Sequence, residues 1–322
     1  MARTKYLYGR RIKLVLVTPH ESVQFDYLQT LNHSMGIQFS VPFSDSSTPP
    51  TCTVTLMNVA EKHRKLFKKG YEVKLYAGYY EDGVGLLSQG VIRKISPFTS
   101  DGTNNTFSFT YREGQDYSKL VSSADKYNQK LEDARKKQEK VIGKKAAANL
   151  PKIKKHSSLS FGKGVAAETI IRRVASDAGI DIESIYLAKP KTYKKGYTCH
   201  GKPITIISDI AKVCGSKVYY RRGMIAIDDL SKMRGHNEHI LVTTHVKGQH
   251  GGTGLIQYPT TDSEDEDAKH KTWSVVSLLR YQVSTGSVIT VDDRFLKGTF
   301  RVKSGEHTCD DSNFTTTMEV YV

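Results

Sequence analysis

Apolar and polar residues alternate through most of the first 114 positions, the period-two pattern of strands with one buried face. Arg11 to Val17 places Ile12, Leu14 and Leu16 on one face, and Ile37 to Val41 repeats the pattern before a Ser/Pro-rich loop from Ser44 to Pro50. Thr51 to Leu56 alternates again, and Thr106 to Tyr111 sets Phe107, Phe109 and Tyr111 together. Between them a short polar helix runs to Gly70, a strand follows to Tyr79, and another runs from Leu86 to Ile92. Gly70 is expected to end the helix in a left-handed conformation, and Gly78 and Gly90 to supply bulges where strands bend. Five or six strands at this spacing predict a small barrel or sandwich.

The period changes after Tyr117. Leu120, Ala124, Tyr127, Leu131, Ala134 and Val141 step by four and three, with Gln138 in the remaining position, which predicts a charged helix with a narrow apolar seam. That seam makes Leu120, Ala124, Tyr127, Leu131 and Ala134 the candidate interface residues, on a helix lying against another domain or in a short coiled coil. Gly143 to Ser158, rich in Lys and Ala, is expected to be a mobile tether, with Lys144 to Lys155 the most protease-sensitive stretch.

Further on, Thr169-Ile170-Ile171-x-x-Val174-Ala175 is echoed by Thr205-Ile206-Ile207-x-x-Ile210-Ala211, each followed by a glycine, Gly179 and Gly215. Both segments predict an amphipathic helix capped by Gly. Lys217 to Tyr220, a tight Arg222-Gly223 turn and Met224 to Ile227 predict a hairpin. Alternation returns in Thr272 to Val283, Ser287 to Val291, Gly298 to Ser304 and Thr315 to Tyr321, enough for a second small barrel. Asp262 to Asp267, with five carboxylates in six residues, predicts a solvated loop. The organisation expected is an N-terminal barrel at 1–116, a basic helix and tether at 117–158, a middle α/β domain at 159–238 and a C-terminal barrel at 239–322. The fold class is therefore β-rich α+β, with two small antiparallel β-barrels around a central helix-hairpin domain.

Composition narrows the function. An apolar share of 38% and a mean hydropathy of −0.45, with 18 Tyr, suit strands that keep one face polar. The longest apolar run near the start, Leu14 to Val17, is too short for a secretory core or a membrane span, so no membrane insertion is expected. The net charge of +15 is concentrated: Lys119 to Lys155 holds 12 Lys and Arg against 4 Asp and Glu, while the rest holds 36 against 29. That segment has few interleaved aromatics, which argues against a single-strand stacking platform.

Candidate chemistry is sparse. Cys52, Cys199, Cys214 and Cys309 lie far apart with no C-x-x-C pair and read as reduced thiols. Gly248 to Gly254 lacks the Gly-Lys-Ser/Thr ending of a phosphate loop, and His236, His239, His245 and His250 lack ligand spacing. Asp228-Asp229 and Asp292-Asp293 each close a strand, where Asp caps turns. No catalytic residue, metal or cofactor is expected.

The strand from Thr51, the helix closed by Lys69-Gly70, the strand ending Ala77-Gly78-Tyr79 and the Gly90 strand resemble, in order and spacing, the first barrel of phage tail baseplate hub proteins. Two further segments are similar to the same contractile-tail hub family, which includes late control protein D. They are the middle helix, Tyr219-Tyr220 strand and Ile225-Ala226-Ile227 strand, and the closing strands Gly298 to Val302 and Thr315 to Val322. The resemblance implies a structural, non-enzymatic virion component assembled in the host cytoplasm. It would be a homotrimeric ring of two tube-like barrels per chain, adapting a sixfold tail tube to a threefold central spike. Implied partners are the tail tube protein, the spike, other baseplate proteins and a tape-measure protein, with nucleic acid not expected. The Lys-rich helix departs from the family pattern. Two rival readings are a tail-associated cell-wall hydrolase, which would need a module not expected before the chain ends at Val322, and a basic nucleic-acid-binding module.

Overall fold

The alternating segments form antiparallel strands with apolar residues on one face: β1 (Arg10–Val17), β2 (Ser22–Leu28), β3 (Ile37–Phe43), β4 (Thr51–Met57), β5 (Glu72–Tyr79), β6 (Gly83–Ile95), β7 (Thr99–Ser100) and β8 (Asn105–Glu113). A single helical turn, α1 (Glu61–Arg64), separates β4 from β5. The computed structural model describes residues 7–29, 36–115, 117, 120, 123–142, 159–233, 239–244, 252–261 and 272–321. The expected tether at 143–158 and the acidic loop at 262–267 lie outside them.

Contacts divide the chain into two units. The first takes residues 1–115, 219–226 and 230–322, and the second takes 116–218 and 227–229. In the first unit the later strands are β16 (His239–Thr243), β17 (Thr272–Leu278), β18 (Val288–Asp292), β19 (Lys297–Cys309) and β20 (Phe314–Tyr321). They join the earlier strands in one 13-stranded sheet whose main path runs β16-β18-β19-β3-β4-β8-β6-β5-β1-β2, with β17 and β20 branching from β19 and β7 beside β8.

The two small barrels the sequence predicts are not seen as separate bodies, because among the described residues the strands form one open, branched path. The reason lies in β19. At 13 residues it is long enough to serve two strand sets, and a register shift between Val302 and Ser304 changes its course. Its first part pairs with β18, from Arg301↔Val288 to Lys297↔Asp292, while its last part pairs with β3, from Gly305↔Phe43 to Cys309↔Phe39. β16 pairs with β18 in parallel, a second departure from the all-antiparallel expectation.

Two large apolar clusters fill the first unit, beside a small one of Tyr219, Ala226 and Leu230. The larger centres on Phe67, which the turn after α1 delivers between strands; its ring centroid lies 5.4 Å from Phe25, 5.2 Å from Phe107 and 5.0 Å from Phe109. The other gathers Phe43, Val242, Val275, Ile289, Val302 and Val320. Irregular pairing falls between Leu75 and Tyr76 and between Ile92 and Lys94, not at Gly78 or Gly90 as expected. Gly90 serves close approach instead, since a Cβ there would stand 2.0 Å from the Arg112 carbonyl oxygen.

A buried polar chain ties β19 to its neighbours. The Arg280 backbone N–H donates to Thr316 Oγ1 at 2.9 Å, the Thr316 hydroxyl donates to His307 Nδ1 at 2.9 Å, and His307 Nε2 donates to the Val283 carbonyl at 3.1 Å. The carbonyl can only accept, so this arrangement fixes the neutral tautomer. Burial, with the Arg222 charge adding to it, lowers the His307 pKa to about 3.

In the second unit, α2 (Ser123–Ile142) falls where the four-three seam predicts it. Short strands follow: β9 (Ser160–Phe161), β10 (Val165–Ala166), β11 (Ile182–Ile185), β12 (Thr192–Tyr193) and β13 (Tyr197–Thr198). The repeated Thr-Ile-Ile segments become α3 (Ala167–Ala178) and α4 (Pro203–Val213), and the shared pattern gives them matching buried faces, Ile170, Ile171 and Val174 on one and Ile206, Ile207 and Ile210 on the other. Gly179 and Gly215 follow at φ 69° and 71°, as the capping expectation requires. β14 (Lys217–Arg221) and β15 (Met224–Asp228) form the expected hairpin, of which residues 219–226 belong to the first unit.

Two predictions follow from this core. Phe109 is fully buried, so Phe109→Ala should cost about 3–5 kcal/mol by cavity formation, read as a lowered denaturant midpoint with unchanged slope. For His307 the unfolded chain takes up a proton near pH 6.5 while the folded chain resists until about 3, so stability falls as pH drops through that window. The contribution is about 1.4 kcal/mol per pH unit. Chemical denaturation of the wild type and His307→Gln at pH 7, 6 and 5 should therefore give the variant a shallower pH dependence, and parallel curves would refute the assignment.

Candidate assembly surface

The tip of the β14–β15 hairpin illustrates how local geometry fixes a distant contact. Arg222 and Gly223 both take positive φ, 50° and 86°, the conformation of a two-residue turn between twisted strands. Gly223 N–H donates to Glu113 Oε1 at 2.8 Å, and a Cβ on Gly223 would stand 2.2 Å from Gln89 Cγ. The Arg222 guanidinium donates to the carbonyls of Tyr281, at 3.1 Å, and Gln282, at 2.7 Å. The turn is legible in the sequence. Its receptor is not, because Glu113 lies 110 residues away.

Other buried cations are held in the same way. Arg280 donates to the Thr253 carbonyl and lies 3.8 Å from Asp82, and Arg301 donates to the carbonyls of Gly286 at 3.2 Å and Lys232 at 2.5 Å. Burial lowers the Arg280 pKa, with Asp82 opposing the shift. Guanidinium groups that donate to carbonyls brace irregular backbone that a sheet ladder leaves unpaired. Nothing in these contacts resembles an acid–base pair facing a cleft.

Residues that suggested chemistry in the sequence are placed in structural roles where they are described. All four cysteines are buried and free, and burial pushes Cys52 and Cys309 up to about 12, so these thiols stay protonated. Asp228 Oδ1 accepts from Asp229 N–H at 2.7 Å and Asp293 Oδ1 from Phe295 N–H at 3.1 Å, while Asp292 pairs with Lys297 at 3.0 Å. Of the glycine-rich stretch, Thr253 is buried and its hydroxyl donates to the Leu241 carbonyl at 2.6 Å, a backbone brace and not an open anion cradle. His236, His245 and His250 lie outside the described residues, as does the His239 side chain. Among the described residues no group of His, Cys, Asp and Glu could hold a metal ion.

What the first unit does present is binding surface. Within the described sheet, β2 pairs only with β1 and leaves a line of backbone groups for another strand, whereas the outer edge of β16 is met by Thr253, which accepts from the Thr243 N–H and donates to the Leu241 and Thr243 carbonyls. Tyr258 and Phe295 meet edge to face with ring centroids 5.1 Å apart while exposing about half their surface, and the Arg294 guanidinium lies over both rings at 4.9 and 4.4 Å. Aromatic and arginine side chains at the surface are the composition of interface anchors. An open groove of about 890 Å³ is lined by Tyr8, Arg10, Tyr79, Ile256, Asn313 and Phe314 among others. These surfaces were missed in the sequence, where only the exposed Tyr and Arg themselves gave a signal.

The interface candidates read from the seam fall on or near α2. Tyr127 and Ala134 are exposed and Leu131 is half-buried, as is Leu120 just before the helix; the Ala124 side chain lies outside the described residues. Among the described residues no helix is long and apolar enough to cross a membrane.

No protein-family model matches the chain, and no curated protein matches it. Solved structures do. A tail protein from Neisseria meningitidis is similar over 98% of this chain and 97% of its own at a TM-score of 0.57 and 9% identity. The 43 kDa tail protein of prophage MuSo2 from Shewanella oneidensis is similar over 96% and 97%, at 0.56 and 11%. An E. coli component of the type VI secretion system, described as structurally similar to T4 bacteriophage tail proteins gp27 and gp5, is similar over 91% of this chain and 75% of its own, at 0.51 and 10%. At these identities the likeness is one of fold: a β-rich architecture shared, over nearly the whole chain, with phage tail proteins and a type VI secretion component.

Proposed function

We propose that this protein is a structural subunit of a phage tail baseplate hub, or of the matching part of a related injection device. In this reading three copies form a ring that adapts a sixfold tail tube to a threefold spike. The observation that carries it is the sharing of β19 between two strand sets, which gives one chain two sheet regions fixed to each other by backbone hydrogen bonds. A ring of three such chains presents six comparable sheet regions, the simplest bridge between threefold and sixfold neighbours. The likeness along nearly the full length of two tail proteins supports the same reading. The two regions act as tube-like modules, with the helical middle segment between them in the chain. The work is binding through the β2 strand edge and aromatic anchors, with the tube, the spike and other baseplate proteins as partners and the virion tail as its location. The hydrolase and nucleic-acid readings find no comparable observation.

Native mass spectrometry of the purified protein and image reconstruction of the intact particle should give three copies per hub. A twofold or sixfold copy number in the particle would overturn the proposal.

A further inference from the structure

Short strands of the second unit build a two-stranded ribbon that breaks at its middle. Ser160 and Phe161 pair with Thr198 and Tyr197, and Val165 and Ala166 pair with Tyr193 and Thr192, in one register throughout. Continued across the gap, that register sets Lys163 against Lys195, with Lys194 beside them. Turns fix the gap. The N–H groups of Gly164 and Gly196 both donate to the Tyr193 carbonyl, at 2.9 and 3.1 Å, and both glycines take positive φ, 81° and 84°. A Cβ on Gly196 would stand 2.5 Å from the Phe161 carbonyl oxygen, so the two chains stay in contact through the gap. Lys163, Lys194 and Lys195 are all exposed. Like charges set opposite each other on paired strands destabilise the pair, which makes this rung a cost to the fold.

No carboxylate offsets that cost. Residues 159–167 and 184–208 hold six Lys and no Asp or Glu. Helix α3, packed on β10, brings Glu168, which Arg172 holds at 2.7 Å, and Asp177 near its other end. Asp209 of α4 acts on the Tyr197 hydroxyl, whose pKa is raised by burial, by Cys199 and by this charge. Among the described residues Lys163, Lys194 and Lys195 make no ion pair and no side-chain hydrogen bond. The surroundings choose the occupant. Tyr193 and Tyr197 flank the turn, but their ring centroids lie 4.9 Å apart and Lys191 lies over Tyr193 at 5.3 Å, so the rings are spent on each other and on Lys191 and not offered to a base. An anionic membrane is entered by apolar side chains, and the turns present Gly and Lys. A second copy would bring the same formal net charge of +15. Amines carried on chains about 5 Å apart suit adjacent carboxylates of a short extended run. We propose that this broken rung is a docking point for a short acidic segment of a different protein, its carboxylates seated between Lys163, Lys194 and Lys195. The contact is separate from the ring and requires only a neighbour that carries the acidic run.

The test uses the full chain and two short fluorescent peptides that differ only in carrying Glu or Gln, read by anisotropy at about 50 mM salt. The Glu peptide should bind and the Gln peptide should not. Lys163→Gln, Lys194→Gln and Lys195→Gln together should weaken the Glu peptide about tenfold, with the circular dichroism of the wild type retained. Removing the same charge elsewhere, by Lys144→Gln, Lys145→Gln and Lys152→Gln, should leave most of the binding intact. Carbodiimide coupling followed by peptide mapping should join the Glu peptide to Lys163, Lys194 or Lys195. Equal loss in both triple variants, or cross-links confined to other lysines, would overturn the proposal. So would tighter binding of a single-stranded oligonucleotide or of phosphatidylglycerol vesicles through the same lysines, or a self-association of the wild type that the first variant abolishes.

Discussion

Everything in the first unit depends on one strand being shared. β19 gives its first residues to β18 and its last to β3, and the register shift between Val302 and Ser304 allows the change of partner. Without the five-pair ladder to β3, the strands before residue 115 and those after 239 would be separate sheets joined only by chain. With it, their relative position is set by backbone hydrogen bonds, which tolerate little displacement. The side chains around the ladder add to this. Cys309 and Phe314 sit in the same cluster as Phe39 and Leu56, and Phe43 belongs to the cluster of Val302 and Met318, so each core contains residues from both ends of the sequence.

Polar groups then hold what the ladder cannot reach. The loop between β17 and β18 makes few regular pairings, yet its carbonyls meet Arg222, Arg301 and His307. Buried carbonyls left alone would cost about 1–3 kcal/mol each, so cations and an imidazole serve here as connectors, not as reactive groups. The same logic explains the depressed His307 pKa: a ring chosen to bridge a hydroxyl and a carbonyl works only in its neutral form.

The sequence announced most of the strands because their signal is local. Ile12, Leu14 and Leu16, or Phe107, Phe109 and Tyr111, alternate cleanly and are buried. β2 was legible in Val23, Phe25 and Tyr27 but sits in a polar context and was overlooked. Both copies of the Thr-Ile-Ile echo bury the same positions, as the periodicity of each helix requires. Each end has enough strands for a small barrel, and alternation alone therefore predicts two. Pairing partners are set by contacts more than 260 residues apart, such as Phe39 with Cys309, and alternation carries no information about them. The clasp of Gly223 on Glu113 was hidden for the same reason: a turn can be read from two residues, its receptor from none. The seam of α2 is visible in the sequence as a period, whereas which of its residues are covered is not.

The long reach of β19 also sets an order of events during synthesis. β3 is made early, yet one of its edges has no partner until residues 305 to 309 have left the ribosome. For most of translation the chain therefore carries an open strand edge beside a partly built core, the condition in which nascent chains pair wrongly with one another. Copies that stop short of β19 cannot present the finished surface at all. In the ring proposed above, subunits would thereby be limited to those whose translation has gone nearly to completion, a check on assembly that needs no separate inspector.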